Sequence, residues 1–432
     1  MFMMSGVRAA FFRFMEGVGV WVYDDPNKWE KGNPWDILVL DKSLYRDLFL
    51  GLEVGFMRAY TRNKWMCRDL EQLAQRLYTN GAPKPKGRSR LWFAIPLCRY
   101  YLLPTLFQKL GFNPQNLWRS KRAVAAHYDM LEALIQPMLG DEYMVYSCAD
   151  FRPDTYAPER DLDCTLEQAQ ERKIENLCRK LRLKPYDRVL DIGCGYGDVL
   201  AYIVENCSVQ GVGITLSRAQ FSIACERHAR LIAEGRLEFR VQDYRDIPFG
   251  EMFDKVVSVG MLEHVGRANL WRYMYDVYCL LEDGGLALVH SITSKESQFL
   301  QNPWIRTDIF RDSFLPSLAQ VDAAAAELLE LRNTEELPYQ YAYTLREWRK
   351  RYHGALDTPR FWSRLVGAFG GPRAREKSRM WDIYLAFCAA AFALKHISVH
   401  QWVFSKGQLG EPYAYEPYRR AAVRESEQSI HA

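Results

Sequence analysis

The sequence predicts an α/β protein built on a doubly wound, mostly parallel sheet, with helical segments before it and after it. Three observations carry this reading. Short apolar runs alternate with helical patterns between residues 116 and about 295, as parallel strands and their crossover helices do. One of those runs ends in an acidic residue and a glycine-rich turn, the usual entry to a ligand site in an open sheet. The composition of the 432 residues, 48% hydrophobic and 25% charged, is that of a globular chain. It is enough for a core domain of roughly 250 residues with appendages, and it excludes disorder, collagen and coiled-coil arrays.

The first region, to about residue 115, is rich in aromatic and basic residues. It contains the turn-like run Asn80 to Arg90, with Lys84, Lys86, Arg88 and Arg90, then an apolar stretch from Leu91 to Phe107. Pro96, Arg99 and Pro104 interrupt that stretch, which fits an interfacial or a core segment and not a spanning one. The central region reads in order: helix Glu167–Lys180, strand Arg188–Ile192, strand Val209–Ile214, helix Arg218–Ala233, strand Leu237–Val241, strand Phe253–Val259, helix Asn269–Leu281 and strand Gly285–Ile292. In the last region Gln320–Arg332, Leu345–Tyr352 and Lys377–Lys395 read as helices, Gln401–Phe404 as a late strand of the same sheet, and the tail after Gly410 as polar and frayed. No internal repeat is visible.

The ten cysteines are scattered and form no C-x-x-C pair, which argues against a zinc cluster and for a reducing, cytoplasmic compartment. Arg8, Arg13 and Glu16 interrupt the apolar start, so it has no clean secretory signal core. The net charge of +4 is too small to argue for nucleic acid, but clustered basic residues suit an anionic membrane surface. Arg119, Lys121 and Arg122 form a second such cluster; a solvated basic loop explains both clusters equally well. The 22 Phe, 25 Tyr and 12 Trp suit a large apolar core or an apolar substrate.

The strongest motif is Val189-Leu190-Asp191-Ile192-Gly193-Cys194-Gly195-Tyr196-Gly197. Its glycine spacing, G-x-G-x-G, is not the dinucleotide spacing G-x-G-x-x-G, and NAD is disfavoured. The alternative is a plain tight strand-to-helix turn. The second strand ends in Thr215, Ser217 and Gln220 without a carboxylate. The third runs into Gln242 and Asp243, which suit adenine donors or a solvated loop. Ser258 to Gly266 follows the fourth strand and brings Glu263 beside His264 at the ligand-binding edge, where acid/base work is done. His290 ends the fifth strand at the same edge. Upstream stand His127-Tyr128-Asp129 and Tyr146-Ser147-Cys148-Ala149. Singly, a buried Cys or His is more often inert core than a catalytic group.

Taken together, the segments Tyr146–Ala149, Val189–Gly197, Gly211–Gln220, Val241–Asp246, Ser258–Gly266, Leu288–Ile292 and Gln401–Ser405 resemble the cyclopropane-fatty-acyl-phospholipid synthase family, which includes the mycolic acid cyclopropane synthases. The resemblance runs from about residue 35 to about 408, with Leu50–Leu73 similar to the family's helical N-terminal segment. It implies a class I S-adenosylmethionine (SAM) methyltransferase with a Rossmann-like, mostly parallel seven-stranded sheet, a helical N-terminal domain and helical insertions over the substrate. SAM would lie over Asp191, Gly193, Gly195 and Gly197, with Tyr146 and Ser147 at its polar end, Thr215 and Gln220 in support, and Gln242 and Asp243 at the adenine. A bicarbonate ion would be held by Cys148, Glu263, His290, Ile292 through its backbone, and Tyr341, with Tyr343 as the alternative to Tyr341.

The implied reaction is cyclopropanation of the cis double bond of unsaturated phospholipid acyl chains by an enzyme peripherally bound to a membrane. The implied domains are residues 1–115, a membrane-docking or dimerisation module; 116–410, the catalytic domain; and 411–432, the tail. A homodimer is among the implied states. The rivals are a methyl-branching or methylene-forming fatty acyl methyltransferase, a small-amine N-methyltransferase and a catalytically dead lipid-binding homologue. Two departures bear on the substrate. Asp150-Phe151 stands where the family has two aromatics, and Met130-Leu131 where it has a Gly-Asn-like pair.

Overall fold

The computed structural model describes residues 2–80, 98–104, 106, 132–153, 160, 161, 163–296, 302–310 and 313–416. The basic clusters 84–90 and 119–122, His127-Tyr128-Asp129, Met130-Leu131, most of the apolar stretch 91–107 and the tail beyond residue 416 lie outside the described residues.

The N-terminal part opens with α1 (Phe2–Gly17), which buries Phe11 and Met15. A three-stranded sheet follows, made of β1 (Val22–Tyr23), β2 (Ile37–Val39) and β3 (Trp65–Met66), with α2 (Pro26–Glu30) after β1 and α3 (Leu44–Gly51) and α4 (Glu53–Thr61) between β2 and β3. Helix α5 (Leu70–Asn80) closes this part.

The part that builds the large sheet begins at α6 (Leu166–Leu181), started by a capping box between Thr165 and Gln168. Then come β4 (Arg188–Ile192), α7 (Asp198–Cys207), β5 (Gln210–Thr215), α8 (Arg218–Arg227), α9 (Ala229–Ala233), β6 (Leu237–Val241), β7 (Phe253–Val259), α10 (Leu270–Leu280) and β8 (Leu281–Ser294). The C-terminal part supplies α11 (Leu318–Ala325), β9 (Glu330–Glu336), α12 (Gln340–Leu356), α13 (Pro359–Phe369), α14 (Gly371–Ala393) and β10 (Ile397–Ser405). The large sheet has the order β6-β5-β4-β7-β8-β10-β9. Strands β4 to β8 pair in parallel, and β10 runs antiparallel to both β8 and β9. This is the mostly parallel seven-stranded sheet the sequence implies.

Two of the expected helices break where the sequence reading has one continuous helix. Gln320–Arg332 is not one helix: it is α11 up to Ala325, a turn, and then β9 from Glu330. The free edge of β10 takes Glu330–Glu336 into an antiparallel ladder, and those hydrogen bonds override the helical propensity of Glu and Leu. Arg218–Ala233 breaks at His228, whose ring Nε2 lies 3.2 Å from Asp198 Oδ1. The tail also begins in an ordered way, with the Tyr413 hydroxyl donating to the Lys180 carbonyl at 2.8 Å.

Apolar clusters cover the two faces of the sheet. A third joins α1 and α3–α5 to α12–α14 and reaches Cys148 and Tyr341, so the N-terminal helices and the late helices share one core beside the site.

Candidate active site

The carboxyl edge of β4 sets the site. After Asp191 the chain turns through Gly193, Gly195 and Gly197, whose φ values of +88°, +56° and +86° are open only to glycine at low cost. The Gly193 and Cys194 amides both donate to the Ile214 carbonyl at 3.0 Å, which fixes the turn to β5. A Cβ on Gly197 would stand 2.4 Å from Phe239 Cζ, and one on Gly193 2.9 Å from Met261 Cγ. The loop is thus packed from behind and bare towards an open cleft of about 1150 Å³, mouth included. Among the proposed cofactor residues Tyr146, Ser147, Asp191, Gly193, Gly195, Thr215, Gln220, Gln242 and Asp243 line this cleft; Gly197 stands behind it as the residue capping α7.

Most of these side chains are held by neighbouring residues. Thr215 Oγ1 donates to Gln220 Oε1 at 2.8 Å, leaving the amide NH₂ of Gln220 for a ligand. Gln242 Nε2 donates to the Asp246 carbonyl at 3.0 Å. The Asp243 carboxylate receives both Nε and Nη2 of Arg245, at 2.8 and 2.7 Å. Tyr146 stacks on Trp348 at 5.1 Å. Asp191 is buried, and its Oδ1 has no hydrogen-bond partner among the described residues. Burial pushes its carboxyl up to about 7, against the pull of the Lys173 charge. Lys173 is itself fully buried; its ammonium donates to Ser147 Oγ at 3.0 Å, and burial draws it down to about 7.

The second group, Cys148, Glu263, His290, Ile292 and Tyr341, does not line this cleft; Cys148 and Glu263 adjoin the cleft residues Ser147 and His264 in sequence. The Ile292 N–H donates to Glu263 Oε1 at 2.6 Å, so Ile292 acts on the site through that carboxylate. Glu263 Oε2 is buried with no hydrogen-bond partner among the described residues. Burial raises the Glu263 pKa, opposed by the Ile292 N–H and the Ser291 hydroxyl. His290 lies two residues earlier on β8, and its carbonyl accepts from the amide of Gly260, a cleft residue, at 2.8 Å. Burial holds the His290 imidazole well below its usual pKa, and Lys173 and Lys180 push the same way. Cys148, next to Ser147, is fully buried, and burial raises its thiol pKa far above the usual range, so it is a neutral thiol. Tyr341 packs on Phe392 at 4.7 Å and on Trp348 at 5.8 Å. Its alternative, Tyr343, lies instead against Phe151 and the Arg160 and Arg346 guanidinium groups. His264 lines the cleft and is held neutral, its pKa drawn down to about 4 by burial.

The structure also places residues that the sequence reading passed over. Lys173 and Lys180 point from the buried face of α6, and Glu335 and Gln401 meet Lys180 from β9 and β10. The signal was present: two lysines seven apart, in phase with Leu166, Ala169 and Leu177 on an apolar stripe. Asp150 does not line the cleft. It forms a buried pair with Arg152 at 2.7 Å and accepts from Asn176 Nδ2 at 3.2 Å.

The family model for mycolic acid cyclopropane synthetase matches residues 115–402. The cyclopropane-fatty-acyl-phospholipid synthase of Escherichia coli is 32% identical over 378 residues, 87% of this chain and 88% of that one. A probable fatty acid methyltransferase of Pseudomonas putida is 36% identical over 302 residues, 68% of this chain and 70% of that one. Among solved structures, the cyclopropane synthase MmaA2 of Mycobacterium tuberculosis superposes with a TM-score of 0.57 at 26% identity, covering 66% of this chain and 98% of that one. The mycolic acid cyclopropane synthase CmaA1 complexed with SAH gives 0.56 at 27% identity, with 66% and 98% covered. Coclaurine N-methyltransferase, 15% identical with a TM-score of 0.58 and 82% and 99% covered, shares the fold. With the family model spanning two thirds of its length and its glycine loop, cleft and sheet order in place, this chain belongs to the mycolic acid cyclopropane synthetase family and is a SAM-dependent methyltransferase.

Proposed function

We propose that this enzyme adds a methylene across the cis double bond of unsaturated phospholipid acyl chains and closes a cyclopropane ring, with bicarbonate as the base. The observation that carries this reading is Glu263: a buried carboxylate fixed through one oxygen by the Ile292 N–H, with its second oxygen unpartnered among the described residues. A buried acceptor of that kind calls for a small hydrogen-bonding partner; in this reading the neutral His290 imidazole and Cys148 thiol belong to the same site, and the family resemblance adds Tyr341. The SAM site fits on the same grounds: the cradle that a Cβ on Gly193 or Gly197 would disrupt, and the unpartnered Asp191 Oδ1 beside it.

When bound, SAM supplies an electrophilic methyl on a sulfonium, and bicarbonate supplies a base for one proton of that methyl. The remaining work is the chain's. An alkene has a π pair and no acidic proton, so it must be held in line at contact distance. The positive charge that develops on the acyl chain must be kept from water. Tyr146, which lines the cleft, stacks on Trp348, and Tyr341 and Phe392 continue that aromatic cluster; a desolvated ring face contributes roughly 1–2 kcal/mol to a nearby positive charge. Glu263 and His290 orient the anion that removes the proton. The balance is one CH₂ gained by the lipid and one proton released.

Among the described residues no helix is long and apolar enough to cross a membrane. We place the substrate in a membrane surface, reached through the exposed Leu102, Leu103 and Leu106 and the basic residues that flank them in sequence. The test is mass spectrometry of lipids after incubation with unsaturated phospholipid vesicles and methyl-labelled SAM. A gain of one CH₂ located to a ring supports the reading. A gain of CH₂ without a ring moves it to methyl branching, a reading favoured by the similarity to the Pseudomonas putida fatty acid methyltransferase and to tuberculostearic acid methyltransferase of Mycobacterium tuberculosis, 29% identical over 81% of this chain and 78% of that one. Methylation of a small amine alone would overturn both.

A further inference from the structure

His290 and Gln401 are directly opposed on β8 and β10, and Gln401 and Glu335 on β10 and β9. Opposed residues of an antiparallel ladder share a face, so the three side chains form a row. Lys180 comes down on that row from α6: its ammonium donates to Gln401 Oε1 at 2.6 Å and pairs with Glu335. At the far end of the row Gln401 Nε2 lies 3.1 Å from His290 Nδ1. Lys180 is fully buried, and Gln401 and His290 are 2% exposed. Glu335 is also paired with Arg152 at 2.7 Å, and Arg152 with Asp150, so two cations and two anions balance.

The direction of every bond in this row follows from one chemical fact. An ammonium has three donors and no acceptor. The Gln401 atom facing Lys180 is therefore the amide oxygen, and the atom facing His290 is the NH₂. That NH₂ donates, so His290 Nδ1 accepts and carries no hydrogen. The ring hydrogen is then on Nε2, and the imidazole is neutral.

We propose that Lys180 and Gln401 are positioning residues that lock His290 as the neutral Nε2–H tautomer, making it a hydrogen-bond donor to the bound anion and not a base. The part of this that concerns the anion rests on the function proposed above; the tautomer does not. The imidazole is faced by Gln401 and by the charges of Lys173 and Lys180, and burial together with both ammonium groups disfavours its protonation. With His290 a donor, proton removal falls to the anion itself, and Glu263 is the charged group left to orient it.

The test reads the tautomer directly. The full-length protein is labelled with ¹⁵N-histidine, and the His290 ring signals are assigned by their loss in His290→Asn. In the wild type, without SAM, bicarbonate or lipid, a pyridine-type Nδ1 and a pyrrole-type Nε2 are expected, unchanged from about pH 6 to 8. Gln401→Glu places only acceptor oxygens at Nδ1, and its signal should become pyrrole-type. Lys180→Met frees the amide to rotate and should give a mixture, which Lys180→Arg reverses. Turnover of Gln401→Glu should fall roughly 10–100-fold with the KM for SAM unchanged. A protonated Nδ1 in the wild type, or ring signals in Gln401→Glu like those of the wild type, overturns the proposal. Neither result depends on which lipid is methylated or on whether bicarbonate is the base.

Discussion

Glu263 and His264 are neighbours in sequence with opposite duties. The carboxylate keeps one oxygen free among the described residues, whereas the imidazole is held neutral in the wall of the cleft. Glu263→Gln keeps the shape and the bond to Ile292 but removes the carboxylate charge, which in the proposed function orients the anion. Its turnover on unsaturated lipid should fall by roughly 100-fold or more while SAM binding, read by calorimetry, changes little. His264 gives a stability prediction. Its folded pKa of about 4 lies below the unfolded value of about 6.5, so the unfolded chain binds more protons between these values. The stability this group contributes is present above pH 6.5 and is lost as pH falls towards 4, about 2 kcal/mol of it by pH 5. Urea unfolding at pH 7 and pH 5 should show that loss, and His264→Gln should reduce it; an equal loss in the variant would place its origin elsewhere. At this scale the sequence singles out the residues that sit in local motifs. Asp191, the three glycines, Glu263 and His290 are each marked by their neighbours. Lys180 and Gln401 are not, because their contact spans 221 residues and exists only through strand register.

Local propensity succeeded for elements whose neighbours are themselves local. Strands β4, β6 and β7 have the ends expected, because buried parallel strands are short apolar runs between turns. It failed for β9, where an Ala-, Glu- and Leu-rich run looked helical and the edge of β10 decided otherwise. That strand matters because it delivers Glu335 to Arg152 and Lys180. Asp150, a departure from the family pattern, belongs to the same buried network and does not line the cleft. Arg152→Met would leave Asp150 and Glu335 without their shared cation, at a cost of about 3–5 kcal/mol. The double variant Asp150→Asn with Arg152→Met should cost less than the sum of the single changes, because the carboxylate left alone by the first change is gone in the second. Urea midpoints of the single and double variants measure this; strict additivity would mean that the pair is not coupled.

The core shared by the N-terminal helices and the late helices ties the two ends of the chain together beside the site. Arg58 clamps Asp308 with bonds of 2.8 and 2.6 Å, and the Tyr60 hydroxyl donates to Asp382 at 3.1 Å, so the N-terminal part is a fixed part of the catalytic body. A soluble lipid monomer would need only the cleft. A double bond within a bilayer also needs the whole molecule to be held at the surface, and a net charge of +4 is too small to do this unless it is concentrated. Lys84, Lys86, Arg88 and Arg90 concentrate four charges in seven residues, just before the sequence that carries the exposed Leu102, Leu103 and Leu106. At an anionic surface each such residue contributes about 1 kcal/mol, so removing all four should weaken vesicle binding by about 4 kcal/mol, close to a thousandfold. Reversal of all four to Glu should therefore abolish co-sedimentation with anionic vesicles, and added salt should weaken the wild type in the same direction. Turnover on the same lipid dispersed in detergent should survive, since the substitutions lie away from the cleft residues in sequence. Vesicle binding indifferent to both salt and charge reversal would remove this segment from the docking surface, whereas loss of turnover in detergent as well would show that the segment serves the active site and not the membrane.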